Sequence, residues 1–377
     1  MKIGIVAGEI SGDNLGAGLI RAIKSKIPEA EFVGIGGQGM IEAGCQSLFP
    51  IEKLSVMGLV EILKHYRELY SIRAKLIDYF KENPPDVFIG IDSPEFNLGL
   101  EARLKESGIK TVQYVSPQVW AWRENRLPKI AKATNLILAI LPFEEEYYKK
   151  HNIPARFIGH SKADEIPDQL EKLPIREKLG LPQNKTIIAL MPGSRVKEWQ
   201  YHVDVFLETA RLCGVERSDL HFVAVMVNQK SEDFFNDHFQ EIAPDLPLTF
   251  IQNNSLGAIA ASDLVLSVSG TAALEVMLSK RPMVIAYRTS RITFAIARRL
   301  VKLEHFSLPN LLANEELVPE LLQDQVTAEN LKKELFNWLD NPERITRFEE
   351  KSQQIHDQLR CNASEQAAET ILELCRS

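Results

Sequence analysis

Ser269-Gly270-Thr271 follows the apolar run DLVLSV (263–268), and Glu275 stands four residues beyond Thr271 in a helical pattern. A strand that delivers Gly and Thr to a helix start presents unpaired N–H groups and the positive end of the helix dipole, a cradle suited to a pyrophosphate. Glu275 is badly placed for a phosphate but well placed to accept charge-assisted hydrogen bonds from ribose hydroxyls. The plainer reading is a turn at Gly270 and a solvated helix acid, because short patterns of this kind recur by chance. Pro192-Gly193-Ser194-Arg195 closes a second apolar run. There Gly permits close approach, Ser194 donates and Arg195 can fork onto a phosphate. Two anion-suited turns in one half of the chain strengthen each other against the reading of ordinary polar loops.

Asp92 ends the run VFIGID and is followed by Ser93-Pro94, which cannot continue a strand. A carboxylate there faces the crevice at the end of the sheet. Glu9 and Asp13, in the turn Gly8–Asp13, are further candidates, although helix capping is the commoner fate of such acids. Gly34-Ile-Gly36-Gly-Gln-Gly39 has the G-x-G-x-x-G spacing of a dinucleotide site. It follows a second strand and has no ribose-binding acid about 20 residues on, so tight turns explain its glycines better than NAD does. Gly159-His160-Ser161-Lys162-Ala163 imitates the nucleophile elbow of a serine hydrolase. That chemistry needs a helix directly after Ser161, where the chain reads instead as running into Asp-Glu-Ile-Pro, and an ordered acid and His downstream, for which only His305 could be nominated. No Asp-x-Asp or H-E-x-x-H occurs, so a reaction without metal or cofactor is expected.

The elements that must position these residues alternate strand and helix. KIGIVAG, EFVGIGG, PPDVFIGID, KTVQYVSP, NLILAIL and RFIGH are separated by helical patterns, among them a long helix over 56–81, and imply a parallel doubly wound sheet. A second series follows in TIIALMPGSR, HFVAVMV, LTFIQ, DLVLSV and PMVIAYR. The chain therefore reads as α/β with two Rossmann-like domains, over 1–170 and 171–342, joined by a proline-bearing linker within 163–185. Two such cores also make a cleft. Past Pro342 the chain is helical and polar, over 343–377, with Ser364 as the expected N-cap of a short last helix; these helices could fold back on the first domain or pair with a second copy, giving a homo-oligomer.

With 377 residues, the chain is long enough for two cores, and 45% hydrophobic with 25% charged residues is the make-up of a globular protein. A net charge of −7 argues against nucleic acid as the main partner. Cys45, Cys213, Cys361 and Cys375 are scattered and read as reduced packing residues. Met1 runs straight into a strand pattern with no leader-like segment, so the expected compartment is the cytoplasm. Two stretches suit a lipid surface. Val56, Met57, Leu59, Val60, Leu63, Tyr66, Leu69 and Tyr70 crowd one side of a helix. Arg291, Arg298, Arg299 and Lys302 alternate with Ile292, Phe294, Ile296 and Leu300 in a basic amphipathic helix over 288–302.

Seven blocks in order carry a resemblance that spans nearly the whole chain: Gly8-Glu9-x-Ser11-Gly12-Asp13, Val56-Met57-Gly58, Gly90-Ile91-Asp92-Ser93-Pro94, Ser116-Pro117-Gln118-Val119-Trp120-Ala121-Trp122, Pro192-Gly193-Ser194-Arg195, Ser269-Gly270-Thr271-Ala272-Ala273-Leu274-Glu275 and Leu308-Pro309-Asn310-Leu311-Leu312. Together they resemble the lipid-A-disaccharide synthase family. The resemblance implies a GT-B fold and an inverting glycosyl transfer without metal. The donor would be UDP-2,3-diacylglucosamine and the acceptor 2,3-diacylglucosamine 1-phosphate (lipid X), giving a β-1,6-linked disaccharide 1-phosphate and UDP. It carries Arg195, Glu275 and Asn310 over as donor contacts beside Ser194, Gly270 and Thr271, and Asp92 over as the base. Ser11, Asp13 and Arg298 are the corresponding acceptor candidates. Peripheral contact with the anionic cytoplasmic face of the inner membrane goes with such substrates. Pro94-Glu95-Phe96-Asn97 stands where the family often has Pro-Asp-Phe-Asn, and Val196-Lys197-Glu198 after Arg195 departs further, leaving Lys197 without a role. Other GT-B enzymes and UDP-sugar epimerases share the nucleotide site and are the nearest rivals; a non-catalytic UDP-sugar-binding protein could dispense with Asp92.

Overall fold

The computed structural model describes residues 1–54, 59–300 and 304–376 and divides them into two compact units, 1–164 with 358–376 and 165–357. In the first unit, β1 (Lys2–Ala7), β2 (Glu31–Ile35), β3 (Cys45–Ser47), β4 (Val87–Ile91), β5 (Lys110–Tyr114), β6 (Leu136–Ala139) and β7 (Ala155–Phe157) form one parallel sheet in the order 3-2-1-4-5-6-7. In the second, β8 (Thr186–Met191), β9 (Leu220–Met226), β10 (Leu248–Gln252), β11 (Leu264–Val268), β12 (Met283–Tyr287) and β13 (Glu320–Leu322) form another in the order 10-9-8-11-12-13. Helices cover both faces of a parallel sheet, which is why the central strands read as unbroken apolar runs: Val87, Phe88, Ile89 and Ile91 are fully buried, as are Leu264, Val265 and Leu266.

The strand order reverses between β1 and β4 in one unit and between β8 and β11 in the other. At such a switch point neighbouring connections leave in opposite directions and open a crevice at the carboxyl ends of the strands. Gly8 and Asp92 follow the two strands of the first switch; Pro192 to Arg195 and Ser269 to Thr271 follow those of the second. The topology thus delivers the main candidate residues to two crevice mouths, one in each unit.

Four features differ from the sequence expectations. β3 and β13 are edge strands of three residues whose sequences, Cys-Gln-Ser and Glu-Leu-Leu, have neither length nor apolar continuity to announce a strand. The expected linker is anchored: Arg176, in helix Lys172–Lys178, is buried, and its guanidinium reaches Asp263 at 2.6 Å and the Ala261 carbonyl at 2.8 Å. The C-terminal helices do not stay together, since Pro342–Leu359 lies mostly in the second unit whereas Ala363–Arg376 packs Ala367, Ala368 and Ile371 into the core of the first. Ser364 lies inside that last helix rather than at its cap. The orphan N–H groups of Asn362 and Ala363 go to the Asp164 carboxylate at 2.9 and 2.7 Å, a cap supplied from a distant part of the chain.

The long helix runs from Leu59 to Glu82. Ile72, Leu76 and Phe80 recur at four-residue spacing and are buried against the sheet, with Phe80 edge-on to Phe88 at 5.4 Å, whereas Tyr70 is exposed. Val56, Met57 and Gly58 lie outside the described residues, as do Lys302 and the side chains of Leu59, Val60, Leu63, Tyr66, Ile296 and Leu300. Among the described residues no helix is long and apolar enough to cross a membrane.

Candidate functional site

At the first switch point the chain is held in an unusual backbone conformation. Asp92 and Ser93 have φ of 49° and 42°, and Val115, just past β5, has φ of 72°. The left-handed region costs a residue with a Cβ about 1–3 kcal/mol, so surrounding contacts must over-determine it. Two buried amides do so. Asn97 Nδ2 donates to the carbonyls of Ile91 at 3.2 Å and Asp92 at 2.9 Å. Gln113 Nε2 donates to Asp92 O at 3.1 Å and Val115 O at 3.2 Å. Gly90 pairs in register with Gln113, and a Cβ at Gly90 would collide with Glu101 and stand 2.8 Å from Asn97 Cβ, so glycine is required here for close approach. Burial pushes the Glu101 carboxyl well above its ordinary range, favouring its neutral form.

The Asp92 side chain is half-buried. Burial raises its pKa, opposed by a backbone hydrogen bond from Ser93. Its Cα is fixed by strain and by the two amides, so the carboxylate is aimed by the backbone rather than by a side-chain partner. This is not helix capping: the helix Pro94–Glu106 begins after Ser93.

Asp13, an acceptor candidate, has partners within its own unit. It is buried, and its carboxylate accepts from Gly37 N at 2.8 Å, Gly39 N at 2.9 Å and Met40 N at 3.0 Å. The glycine-rich turn thus wraps around Asp13, and a Cβ at Gly37 would stand 2.8 Å from its Oδ2. The G-x-G-x-x-G spacing thus serves an internal carboxylate, and Asp13 braces this loop. Ser11 is exposed in the first turn of helix Ile10–Lys26.

At the second switch point Gly270 starts helix Thr271–Leu278 with extended backbone that any residue can adopt, and a Cβ there would meet nothing within 4 Å. Neither strain nor crowding from this chain calls for glycine at this position, so the turn is open toward solvent. Thr271 is exposed and Glu275 half-buried on the same helix. In the neighbouring turn Gly193 has φ of 113°, and Glu198 Oε2 accepts from Ser194 N at 2.8 Å and Arg195 N at 3.1 Å. Arg195 itself is exposed, 3.3 Å from Glu198 Oε1. Lys197 is exposed as well.

His202 was not signalled by the sequence, though it stands one helical turn after Glu198. It is fully buried; its Nδ1 lies 2.8 Å from the Glu198 carbonyl, and its Nε2 accepts from Arg288 N at 2.8 Å. That pair of partners requires the proton on Nδ1, and burial lowers the ring's pKa, so the neutral tautomer ties the Arg195 turn to the end of β12.

Asn310, a donor-contact candidate, is also engaged within the chain. Its side chain is fully buried, donating to Val318 O at 2.9 Å and accepting from Leu317 N at 2.8 Å and Val318 N at 2.9 Å. Those bonds brace residues 317–318. Arg298 is exposed on helix Arg291–Leu300, where Ile292 is 75% exposed.

The hydrolase reading also changes in detail. A five-residue helix, Ser161–Glu165, does follow Gly159, contrary to the expectation. His160 is half-buried, its pKa pushed down to about 4, and its Nδ1 accepts from Lys162 N, so it is a neutral acceptor inside the turn. His305 is half-buried.

Two parallel-sheet units with their switch points lined in this way define a GT-B architecture, the class shared by many nucleotide-sugar enzymes. A UDP-GlcNAc 2-epimerase from Neisseria meningitidis, solved bound to UDP-GlcNAc, matches 99% of this chain and 100% of its own at a TM-score of 0.65 with 14% identity. A glycosyltransferase from Rickettsia africae matches 100% of this chain and 97% of its own at a TM-score of 0.59, also with 14% identity. At that identity the likeness is one of fold. Sequence narrows it: residues 3–371 match the family model of lipid-A-disaccharide synthetase. The lipid-A-disaccharide synthase of Vibrio vulnificus strain YJ016 is 51% identical over 376 residues, 99% of this chain and 98% of that one. The chain belongs to the lipid-A-disaccharide synthetase family, glycosyltransferases of lipid A biosynthesis.

Proposed function

We propose that the chain condenses UDP-2,3-diacylglucosamine with 2,3-diacylglucosamine 1-phosphate to a β-1,6-linked disaccharide 1-phosphate and UDP, with Asp92 as general base. The observation that carries the reading is that the family match runs through both units, residues 3–371, and so includes the strained Asp92 turn and both second-unit anion turns. The acceptor 6-hydroxyl attacks the anomeric carbon of the donor, the bond from that carbon to the UDP oxygen breaks, and UDP leaves with the electron pair. Asp92 accepts the hydroxyl proton as charge develops, because a carboxylate is too weak a base to remove it beforehand. Arg195, the Ser194 turn and the Gly270–Thr271 helix start stabilise the negative charge that builds on the departing diphosphate. Glu275 holds the ribose. Incubation with both substrates, followed by detection of UDP and the disaccharide, tests the assignment; UDP released as fast without acceptor as with it would mean hydrolysis instead of transfer.

Replacing Glu275 by Ala removes charge-assisted hydrogen bonds worth about 1.5–3 kcal/mol, so the donor KM rises roughly tenfold to a hundredfold while the acceptor KM holds. An unchanged donor KM takes Glu275 out of the ribose site.

The basic helix Arg291–Leu300, with exposed Arg291, Ile292, Arg298 and Arg299, supports peripheral attachment to an anionic bilayer surface. Charges at such a surface are screened within about 8 Å at physiological ionic strength, and within about 3 Å at 1 M salt. Vesicles rich in anionic lipid should therefore bind the protein in low salt and release it in high salt. Salt-indifferent binding refutes the electrostatic part of the attachment.

A further inference from the structure

We propose that Arg123 and Arg126 form the seat for the acceptor's phosphomonoester, with Glu95 as the resident anion that the phosphate displaces; the inference rests on the acceptor assignment made above. Both guanidiniums converge on a single oxygen. Arg126 Nη2 stands 2.6 Å and Arg123 Nη1 3.3 Å from Glu95 Oε1. A third cation backs them: Arg73 Nη2 donates to the Glu95 carbonyl at 2.9 Å and its guanidinium lies over the Phe96 ring at 5.0 Å. Two positive charges thus meet one carboxylate, with a third at the backbone of the same residue, an excess that a dianion neutralises better than Glu95 does.

Geometry agrees with charge. A carboxylate that offers one oxygen to two guanidiniums engages only one nitrogen of each, whereas a phosphomonoester presents three terminal oxygens and matches two planar forks. The anion is also the most exposed member of the cluster. The Glu95 side chain is 65% exposed, against 37% for Arg123 and 27% for Arg126. Exposed ion pairs of this kind hold weakly, so exchanging Glu95 for a stronger anion costs little. Arg123 is pre-set for the exchange, its guanidinium lying 3.6 Å from the centre of the Trp122 ring, which fixes its plane. The cluster's acid also stands close to Asp92 along the chain. Glu95 follows Asp92 by three residues across a helix start, and the acceptor's 6-hydroxyl and 1-phosphate lie at opposite ends of a single hexosamine.

Direct binding of 2,3-diacylglucosamine 1-phosphate and of the same lipid lacking the phosphate, to wild type and variants, decides the matter without relying on turnover. In wild type the phosphorylated lipid should bind more tightly. Arg126→Ala should cut that preference roughly tenfold or more, Arg126→Lys should cut it less, and Glu95→Gln should preserve or enlarge it. Melting curves establish that each variant is folded. Equal losses for both lipids, or no preference in wild type, overturn the proposal. So does an Arg126→Ala protein that keeps the preference but no longer sediments with phosphatidylglycerol vesicles, a result that assigns the cluster to bilayer headgroups. If the preference behaves as expected while no disaccharide forms, the seat stands and the reaction assigned above falls.

Discussion

Asp92→Ala should lower turnover by roughly 10²–10⁴-fold with both KM values changed little, since a general base acts on the transition state more than on binding. Steady-state kinetics with both substrates saturating measures it, and activity within a few-fold of wild type would remove Asp92 from the reaction. Asp92→Asn is the sharper variant. It keeps shape and cannot take a proton, and Asn tolerates the left-handed φ of 49° better than most residues. The pH dependence has a definite sign. Burial raises the Asp92 pKa, and a base works only when ionised, so the rate should climb with pH through a limb lying above the ordinary carboxylate range; Asp92→Asn should lose that limb. Stability runs the opposite way. A carboxyl whose folded pKa exceeds its unfolded one favours the fold at pH values below the unfolded pKa, and this contribution is lost as pH rises through the folded pKa. At neutral pH the ionised, half-buried carboxylate is therefore a cost. Asp92→Asn should melt no lower than wild type while being nearly inactive, the pattern expected when a site is strained for function.

Much of this was legible in the chain because parallel strands buried on both faces are written as continuous apolar runs, and the residues ending those runs land at the carboxyl edge of the sheet. Asp92, Arg195 and Thr271 could be picked out as candidates for that reason, and Glu275 by its place one turn into the helix that follows. The residues that hold them in place could not. Asn97 and Gln113 look like ordinary polar residues, and only the register of β4 against β5 and the bare Cα of Gly90 bring them together at the Asp92 carbonyl. Asp13 and Asn310 mark the converse limit. Each belongs to a motif that resemblance ties to substrate, yet each spends its side chain on backbone N–H groups, Asp13 on a distant loop and Asn310 on the nearby residues 317–318, and sequence spacing does not distinguish a polar group aimed at a ligand from one aimed at a loop. The Asp164 carboxylate capping the last helix is hidden in the same way, by nearly two hundred residues of intervening chain.

Asn97→Ala separates positioning from packing. The Asn97 side chain has no exposure; it donates to the carbonyls of Ile91 and Asp92 and, at 3.4 Å, of Val6, so it ties the end of β1 to the end of β4. Its removal leaves the Ile91 carbonyl short of this partner and leaves Gln113 as the remaining side-chain donor to Asp92 O, a loss of about 1–3 kcal/mol of stability that denaturant titration would register. The larger effect should fall on chemistry. With one of its two clamps gone, the left-handed pair Asp92–Ser93 relaxes toward ordinary backbone geometry and swings the carboxylate, and a misplacement of about 1 Å can lower a rate roughly 10²-fold. The expected signature is a large fall in kcat with an unchanged donor KM, measured well below the melting temperature so that unfolding does not contribute. A variant that loses stability but keeps kcat shows that Asn97 only fills space. One that loses kcat while the pH limb stays in place shows a base that is still ionised as before but no longer aimed, which is what a clamp on the backbone predicts and a change in the electrostatics of Asp92 does not.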